Sequence, residues 1–581
     1  MKWTKYLPIA EWLGDYNKTT FQNDFVAGLT VCVILIPQGM AYALLAGMPP
    51  IYGLYGGLVP LFLYGVLGTS RQLSIGPVAI SALLVLAGIS QLAEPRSAEY
   101  IMLVITTGLL VGILQAAFGF MRLGFLVNFL SHPIIIGFTS AAAIIIAISQ
   151  LQYLFGFSIP RFDHFYETVG YAFTHLQEIH WLSFIICVSG VTIMLVLRRI
   201  SRAIPNALIV TIIGILVVWI FRLDQHGVAI VGEIPRGLPK FETPTISFGI
   251  IQSILPTVLT VTIICIVESI SIAKVMEAKN RDHKVDPDQE LIAMGISKIG
   301  GAFFQSLTTS GSFTRSAINN EAGARTGMAS IITSIGVALT LIFLTPLFYY
   351  LPEAILASII LVAVRSLFDL PEAIHLWKMH RQDFALMLIT FLFTLVLGIG
   401  EGVLTGVVLS LLMTIYRTAK PHIAVLGKIP NTYHYRNTTR FPEAMEHEAI
   451  LILRFDAPLF FGNASYFKDT IKSLIANRQE KLQLLILDAA SITDMDSTGL
   501  SALEEICDSL KDEGVKFYIS GAIGPVRDLL HRAGVMEKIG EKNQFMYVND
   551  AVRYFKQHEY EEDIKWTQNA IQTNIRKGKK Q

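Results

Sequence analysis

The sequence predicts an all-α polytopic membrane domain over residues 25–418, followed by a small α/β domain over 446–560. Three observations carry this reading. Only 16% of the 581 residues are charged and 52% are hydrophobic, with a mean hydropathy of +0.53, whereas soluble domains carry about a quarter charged residues. Charge is scarce in long stretches before Lys420 and returns at ordinary density from there to Gln581, so lipid and then water are implied as solvents. From about His447 the long apolar runs give way to short β-rich runs separated by helical stretches.

The first 24 residues lack the basic, apolar and small-residue order of a cleaved signal peptide, so a cytoplasmic N-terminal segment is expected and the first span directs insertion. A crossing needs about 20 mostly apolar residues for roughly 30 Å of hydrocarbon. On that ruler spans fall near 25–46, 50–68, 77–90, 100–119, 125–153, 181–197, 205–221, 254–275, 288–306, 312–322, 328–345, 351–368, 383–398 and 400–416. The segments beginning at Pro77 and Ser312 are too short to cross alone, and each follows a glycine-containing break.

Lysine and arginine gather in the turns Arg198–Arg202, Lys274–Lys284, Lys378–Arg381 and Arg417–Lys420. Fourteen crossings that begin inside put all four on one side, which the positive-inside rule makes cytoplasmic, with both termini there too. Seven crossings followed by seven more turn the second half upside down, so an inverted repeat is expected. A parallel in the two halves agrees: Pro37 and then Pro77, Glu268 and then Ser312. Residues 419–445 read as a linker, and 561–581, ending RKGKKQ, as a solvated tail.

A formal net charge of +1 excludes a nucleic-acid partner, which would require a marked basic excess. Cys32, Cys187, Cys265 and Cys507 are scattered, three of them within apolar runs, and read as small core hydrophobes. No metal-ligand spacing, P-loop or nucleophile elbow appears, so no cofactor and no enzyme chemistry are expected.

The strings IPQGMAYALLAGMPPIYGLY at 36–55, GTSRQLSIGPVAI at 68–80 and TSGSFTRSAIN at 309–319 resemble the signatures of the SulP sulfate-permease family. The string DAASITDMDSTGL at 488–500 is similar to a STAS domain, the module shared by sulfate transporters and anti-sigma-factor antagonists. The resemblance covers nearly the whole chain. It implies a fold like that of uracil permeases, with two inverted seven-helix repeats divided into a core that holds substrate and a gate it moves against. It also implies a small-anion substrate and a homodimer in the cell's inner (plasma) membrane. Its third and tenth helices are half-helices meeting near mid-membrane, which on this chain begin at Gly76–Pro77 and at Ser312–Thr314.

Physical chemistry recommends the same places. A helix start leaves its first N–H groups without intrahelical partners and carries about half a positive charge, so two such ends facing each other cradle an anion. Gly76, Pro77 and Val78 on one side and Ser312, Phe313, Thr314 and Arg315 on the other form the expected site; the bland alternative is a kink at Gly76–Pro77 and an ordinary loop at Gly311–Ser312. Arg315 offers a planar fork of donors to an anion, or else snorkels from a helix end. Gln38 and Tyr42, four residues apart, share a helix face and offer amide and hydroxyl contacts, although Tyr42 also suits packing.

Glu268 lies in the apolar run TVLTVTIICIVESISIA, where a charged carboxylate costs at least about 3 kcal/mol on insertion scales. Such a group is expected to change protonation as the anion arrives, coupling a proton to transport; the alternative is a structural ion pair, with Arg315 as the nearest candidate. In the family an acidic residue at this place of the eighth helix is associated with cation coupling. Ser497, in the DSTG turn, matches the phosphorylatable serine of anti-sigma antagonists, or else belongs to a simple helix cap. The expected function is therefore proton symport of small anions, sulfate first, by alternating access. Bicarbonate or dicarboxylate transport and an uncoupled exchanger or channel remain as alternatives, and a sensor or a membrane enzyme is further removed.

Overall fold

The computed structural model describes residues 7–125, 132–160, 162, 165–200, 205–280, 283–478 and 481–558. The start of the N-terminal segment, parts of the span at 125–153 and of the turns Arg198–Arg202 and Lys274–Lys284, and the tail at 561–581 lie outside the described residues. The chain divides at Ser410 into two compact units.

The first unit is helical. Its first half runs α1 (Ile9–Trp12), α2 (Lys18–Leu45), α3 (Ile51–Gly56), α4 (Val59–Leu67), β1 (Ile75–Gly76), α5 (Ala79–Ile89), α6 (Ala98–Phe120), α7 (His132–Ser149), α8 (Leu151–Phe155), α9 (Phe165–Thr174), α10 (Trp181–Ile200) and α11 (Asn206–Phe221). The second half runs α12 (Phe248–Asn280), α13 (Pro287–Phe303), β2 (Ser310–Gly311), α14 (Phe313–Glu321), α15 (Met328–Leu339), α16 (Glu353–Val364), α17 (Leu370–Met379), α18 (Arg381–Leu397) and the start of α19 (Ile399–Ala419), whose remainder belongs to the second unit. Six of the described helical stretches are long and apolar enough to cross a bilayer, among them Lys18–Leu45, Phe248–Asn280 and Met328–Phe348. With the shorter apolar helices, the order is consistent with fourteen crossings. The first span begins at Lys18 rather than at 25, because Asn17 accepts from the Thr20 N–H and caps the helix ahead of its apolar run.

Helices of the two halves interlock. In one group α6 packs on α13 and α4 on α15, α12 on α6 and α2 on α15, α12 on α5 and α2 on α14. In another α7 packs on α18 and α10 on α16. Exchanging the halves maps the first member of each pair of contacts onto the second, which is the pattern an internal two-fold repeat requires. The closest crossings match as well. A Cβ on Gly327 would lie 2.3 Å from the Gly65 carbonyl oxygen, and one on Gly295 would lie 2.7 Å from that of Gly112. Without a hydrophobic force between helices in lipid, such bare backbone contacts supply much of the packing.

Two buried carboxylates hold a loop ahead of β1 and a loop after α14. Glu290 accepts from the Thr69 N–H (2.6 Å) and hydroxyl (2.6 Å), the Ser70 N–H (2.8 Å) and the Tyr64 hydroxyl (2.8 Å). Asp24 accepts from the Arg325 N–H (2.7 Å), the Thr326 N–H (3.1 Å) and hydroxyl (2.6 Å), and the Tyr16 hydroxyl (3.3 Å).

The second unit is a six-stranded sheet in the order β4 (Tyr435–Asn437), β3 (Ile423–Lys428), β5 (Ile450–Phe455), β6 (Leu484–Asp488), β7 (Lys516–Ser520), β8 (Gln544–Phe545). Strands β5 to β8 are parallel, and β3 runs antiparallel to both β4 and β5. Side-chain alternation sorts the sheet into two cores. Leu451, Leu453, Leu485, Leu487, Phe517 and Ile519 face α20 (Ala464–Ala476), α21 (Ser497–Asp512) and α22 (Gly524–Arg532). Ile450, Ile452, Leu484, Ile486 and Tyr518 face Ala551, Val552 and Phe555. This is the α/β domain expected from the alternating pattern, with both faces covered as parallel strands require. The segment expected as a linker, 419–445, instead supplies β3 and β4. Its apolar run Ile423–Leu426 is short and alternates burial, and β5 would otherwise be left as an open edge.

Ser497 is exposed at the first position of α21. The cap of that helix is its neighbour Asp496, which accepts from the Gly499 N–H (2.8 Å) and the Phe461 N–H (2.9 Å). The Gly499 N–H first, then those of Phe461 and Thr498, hold the Asp496 carboxyl below its ordinary range. Asp496→Ala is therefore expected to destabilise this unit by ~1 kcal/mol, seen as faster amide exchange at Gly499. A depressed carboxyl contributes fully above its unfolded value of about 3.9 and loses its contribution as pH falls through the folded value. The difference between wild type and variant should thus begin to shrink only below about pH 4 and vanish below the folded value.

Candidate functional site

The two breaks in the apolar pattern meet. Strand β1 pairs antiparallel with β2, Ile75 opposite Gly311 and Gly76 opposite Ser310. The Ser312 N–H extends the pairing to the Ser74 carbonyl (3.0 Å), and the Ser74 N–H donates to the Ser316 hydroxyl (2.9 Å). Because the strands are antiparallel, the chain leaves the pair in opposite directions, into α5 at one end and α14 at the other. Both helix N-termini therefore border the pair, and their dipoles turn positive ends toward it.

The half-helices are shorter than the sequence indicates. Helix α5 begins at Ala79, and Val78 precedes it in extended conformation (φ −137°, ψ 153°) with no side chain capping the first turn. Pro77 consequently stands before the cap and not within the first turn, and its carbonyl is free to accept from Arg315 Nη1 at 3.0 Å. Helix α14 begins at Phe313, and Ser312 is its cap, the hydroxyl accepting from the Arg315 N–H at 3.4 Å. Phe313 and Thr314 are exposed on the first turn.

Arg315 has no exposed surface, so it does not snorkel. Its Nε and Nη2 have no protein partner. It is wedged beside Gly76, where a Cβ would approach Nη2 to 3.0 Å; the bare backbone at Gly76 is what lets the guanidinium reach Pro77. Gln38 and Tyr42 are buried on α2, which packs on α14, and neither side chain has a hydrogen-bond partner among the described residues.

Glu268 lies half-buried on α12 and accepts from the Ser310 hydroxyl at 2.9 Å. Ser269 completes the link: its hydroxyl lies 3.1 Å from that of Ser310 and accepts from the Gly311 N–H at 2.9 Å. The carboxyl is thus wired to the strand that launches α14. None of the described ion pairs joins Glu268 to Arg315, so the structural pair considered from the sequence is not formed. Ser269 and Ser310 were missed by sequence reasoning, although the polar string ESIS in an apolar run was the available signal.

A cavity of about 580 Å³ lined by Arg122, His132, Ile270, Ser271, Lys274 and Asp288 opens along α12 on the C-terminal side of Glu268. Arg122 and Lys274 stand in it beside Asp288, so its lining carries more positive than negative side chains. The strand pair is thus a buried, positively biased place, and the unpartnered Nε and Nη2 of Arg315 beside it are donors that suit an ion with several acceptor oxygens.

Residues 21–390 match the sulfate permease family, and residues 441–551 match the STAS domain. The chain belongs to the sulfate permease family. This permease is 39% identical to sulfate transporter 4.1, chloroplastic, of Arabidopsis thaliana over 95% of its own length and 82% of that protein. It is 34% identical to high affinity sulfate transporter 2 of Stylosanthes hamata, over 94% of its own length and 85% of that protein. Among solved structures, the murine Solute Carrier 26 family member A9 anion transporter in the inward-facing state superposes with a TM-score of 0.88. There the identity is 26%, over 95% of this chain and 94% of that one. The permease is accordingly a multi-pass membrane protein with a C-terminal STAS domain.

Gly76→Ala is expected to lower the stability of the permease by roughly 1–3 kcal/mol, because the added methyl meets the guanidinium. The unfolding temperature in detergent reads this, and an unchanged transition would mean that Arg315 is not held between the two segments.

Proposed function

We propose that this permease is a secondary active transporter of small anions, sulfate first, that carries a proton with its substrate. The observation that carries the reading is the strand pair flanked by two helix N-termini, with the buried Arg315 fork between them and Glu268 bonded to the same strand. The anion takes donors from the first turns of α5 and α14 and from Arg315, with Gln38 and Tyr42 lining the approach from α2. The names of its relatives, sulfate transporters from two plants, support the substrate class.

Glu268 is the proton carrier in this reading. Ionised, it places a negative charge beside an incoming anion; protonated, it removes that repulsion, so proton and anion favour each other's binding. Its single bond from Ser310 leaves acceptor capacity for the proton. The helices around the strand pair act as the core, and the group containing α7, α10, α16 and α18 as the gate past which it moves in alternating access. Both termini are assigned to the cytoplasm and the host membrane to the cell's inner membrane, with the permease acting as a homodimer. Ser497, exposed at the start of α21, is available for phosphorylation, since a phosphate at a helix N-terminus is favoured by the dipole.

In proteoliposomes, labelled sulfate should accumulate under an inward proton gradient, ahead of bicarbonate and fumarate. Glu268→Gln should abolish accumulation while sulfate exchange at symmetric pH survives. Arg315→Ala should reduce uptake at least about tenfold, the worth of one charge-assisted hydrogen bond. A Glu268→Gln protein that still concentrates sulfate removes the proton role, and a wild type indifferent to the gradient is an uncoupled exchanger or channel.

A further inference from the structure

We propose that α17, the helix between the crossings α16 and α18, lies in the surface of the bilayer and docks there on anionic phospholipid headgroups. The proposal concerns the membrane around the permease and stands apart from the proton-coupled reading.

The sequence marks Lys378–Arg381 only as a basic turn between two spans, but Leu370–Met379 folds as a helix capped by Asp369, which accepts from the Glu372 N–H at 3.1 Å. With about 100° between successive residues, the helix presents three faces. One is packed: Leu376 is 8% exposed and, with Ala373, clusters with Ile136 of α7 and Met387 of α18. Glu372 adds a tie to α7, its Oε1 lying 3.7 Å from His132 Nε2. The second face carries Leu370, Ile374 and Trp377 at the spacing i, i+4, i+7, and these are 54%, 48% and 54% exposed. The third carries His375 and Lys378, both exposed. A short helix with an open apolar stripe between a packed face and a basic face is the pattern of one lying in a membrane surface.

What covers the stripe follows from its neighbour. Arg381 Cζ stands 5.9 Å from the centroid of the Trp377 ring, and Phe384 meets the same ring edge-on with 4.9 Å between centroids. On α18, Arg381 heads the row Leu388, Leu392 and Val396, which share one helix face and are all exposed. In a multi-pass membrane protein such a row faces hydrocarbon. An arginine at its end marks the level of the headgroups, where tryptophan rings also gather. Trp377, lying under that arginine, therefore sets the stripe at the edge of the acyl layer, with Lys378 and Arg381 beside it at phosphate depth. Asp369 is engaged in the cap and Glu372 with His132, while Lys378 and Arg381 are exposed. Cations so placed are attracted to a leaflet that carries anionic lipid. Continuity with the acyl-facing row of α18 selects lipid as the occupant over a second protein surface.

Trp377 reports on its own surroundings. In the full-length permease carrying W3F, W12F, W181F, W219F and W566F, reconstituted in vesicles, brominated phosphatidylcholine should quench Trp377 strongly and aqueous acrylamide only weakly. In mixed vesicles brominated phosphatidylglycerol should occupy that place at least about fivefold more readily than phosphatidylcholine, the worth of one basic side chain at an anionic surface. Adding K378Q and R381Q should bring the two lipids to parity. If the tryptophan-depleted protein is not monodisperse by size exclusion, W377F in the otherwise native chain must remove the same lipid-quenched emission. Quenching by acrylamide in place of lipid overturns the proposal by leaving the helix in water. Silence toward both quenchers overturns it by putting a protein surface, a second copy included, over the stripe. Equal occupancy by the two lipids overturns the anionic preference, and so does a preference that survives K378Q and R381Q.

Discussion

The membrane unit is organised around one constraint: where the chain stops being helical inside an apolar slab, every backbone donor and acceptor needs a partner within the protein or toward a polar cavity. The strand pair β1–β2 meets that need with two residues from each half. A pair so short would not persist alone. It is supported by ties elsewhere, residues 69–70 ahead of β1 by Glu290 on α13 and residues 325–326 beyond α14 by Asp24 on α2. Each anchor comes from the opposite half of the sequence to the loop it holds. The halves thus fix each other's breaks, and the helix starts that border the pair are positioned as a consequence.

Three carboxyl groups are buried or half-buried in this region, and their surroundings divide the labour. Asp24 and Glu290 each receive four donors, mostly backbone N–H and hydroxyl groups of loops they hold in place. Their acceptor capacity is used up, as suits a structural tie. Glu268 receives one hydroxyl, from Ser310. A carboxyl with spare lone pairs has more than one way to be satisfied, and groups of that kind suit a change of state better than a fixed link.

Much of this was legible in the sequence, and the reasons differ by element. The spans followed from length and hydropathy, because lipid permits few other solutions. Strands β5, β6 and β7 and the helices between them followed from an alternation of short apolar runs with helical stretches that both faces of a parallel sheet impose. The linker reading of 419–445 failed because β3 earns its place through pairing with β5, a contact that the run Ile423–Leu426 does not announce. Pro77 was misplaced by two residues for a similar reason. Proline suits the first turn of a helix equally well on local grounds, and only the reach of Arg315 for its carbonyl decides otherwise. Glu290 and Asp24 carried no pattern at all. A charge near the end of an apolar run looks the same whether it meets headgroups or turns inward to a partner hundreds of residues away.

Buried polar atoms without partners are few in native proteins, and each calls for a reason. Here many of them gather along one stretch of structure: Ser74 Oγ beside β1, Thr308 and Thr309 Oγ1 ahead of β2, and Nε and Nη2 of Arg315 in the first turn of α14. A fold selected for stability alone would have replaced them with apolar side chains, since removing both members of a buried hydrogen bond is often neutral and leaving one unsatisfied costs about 1–3 kcal/mol. Their concentration around the strand pair, where the helix dipoles already bias the site positive, makes sense if the polar surface serves something that comes and goes. A permanent partner would have locked the pair. Donors that remain open in the protein, held by anchors that are themselves fully satisfied, suit a site that would bind an ion without reorganising and release it without leaving the structure undone.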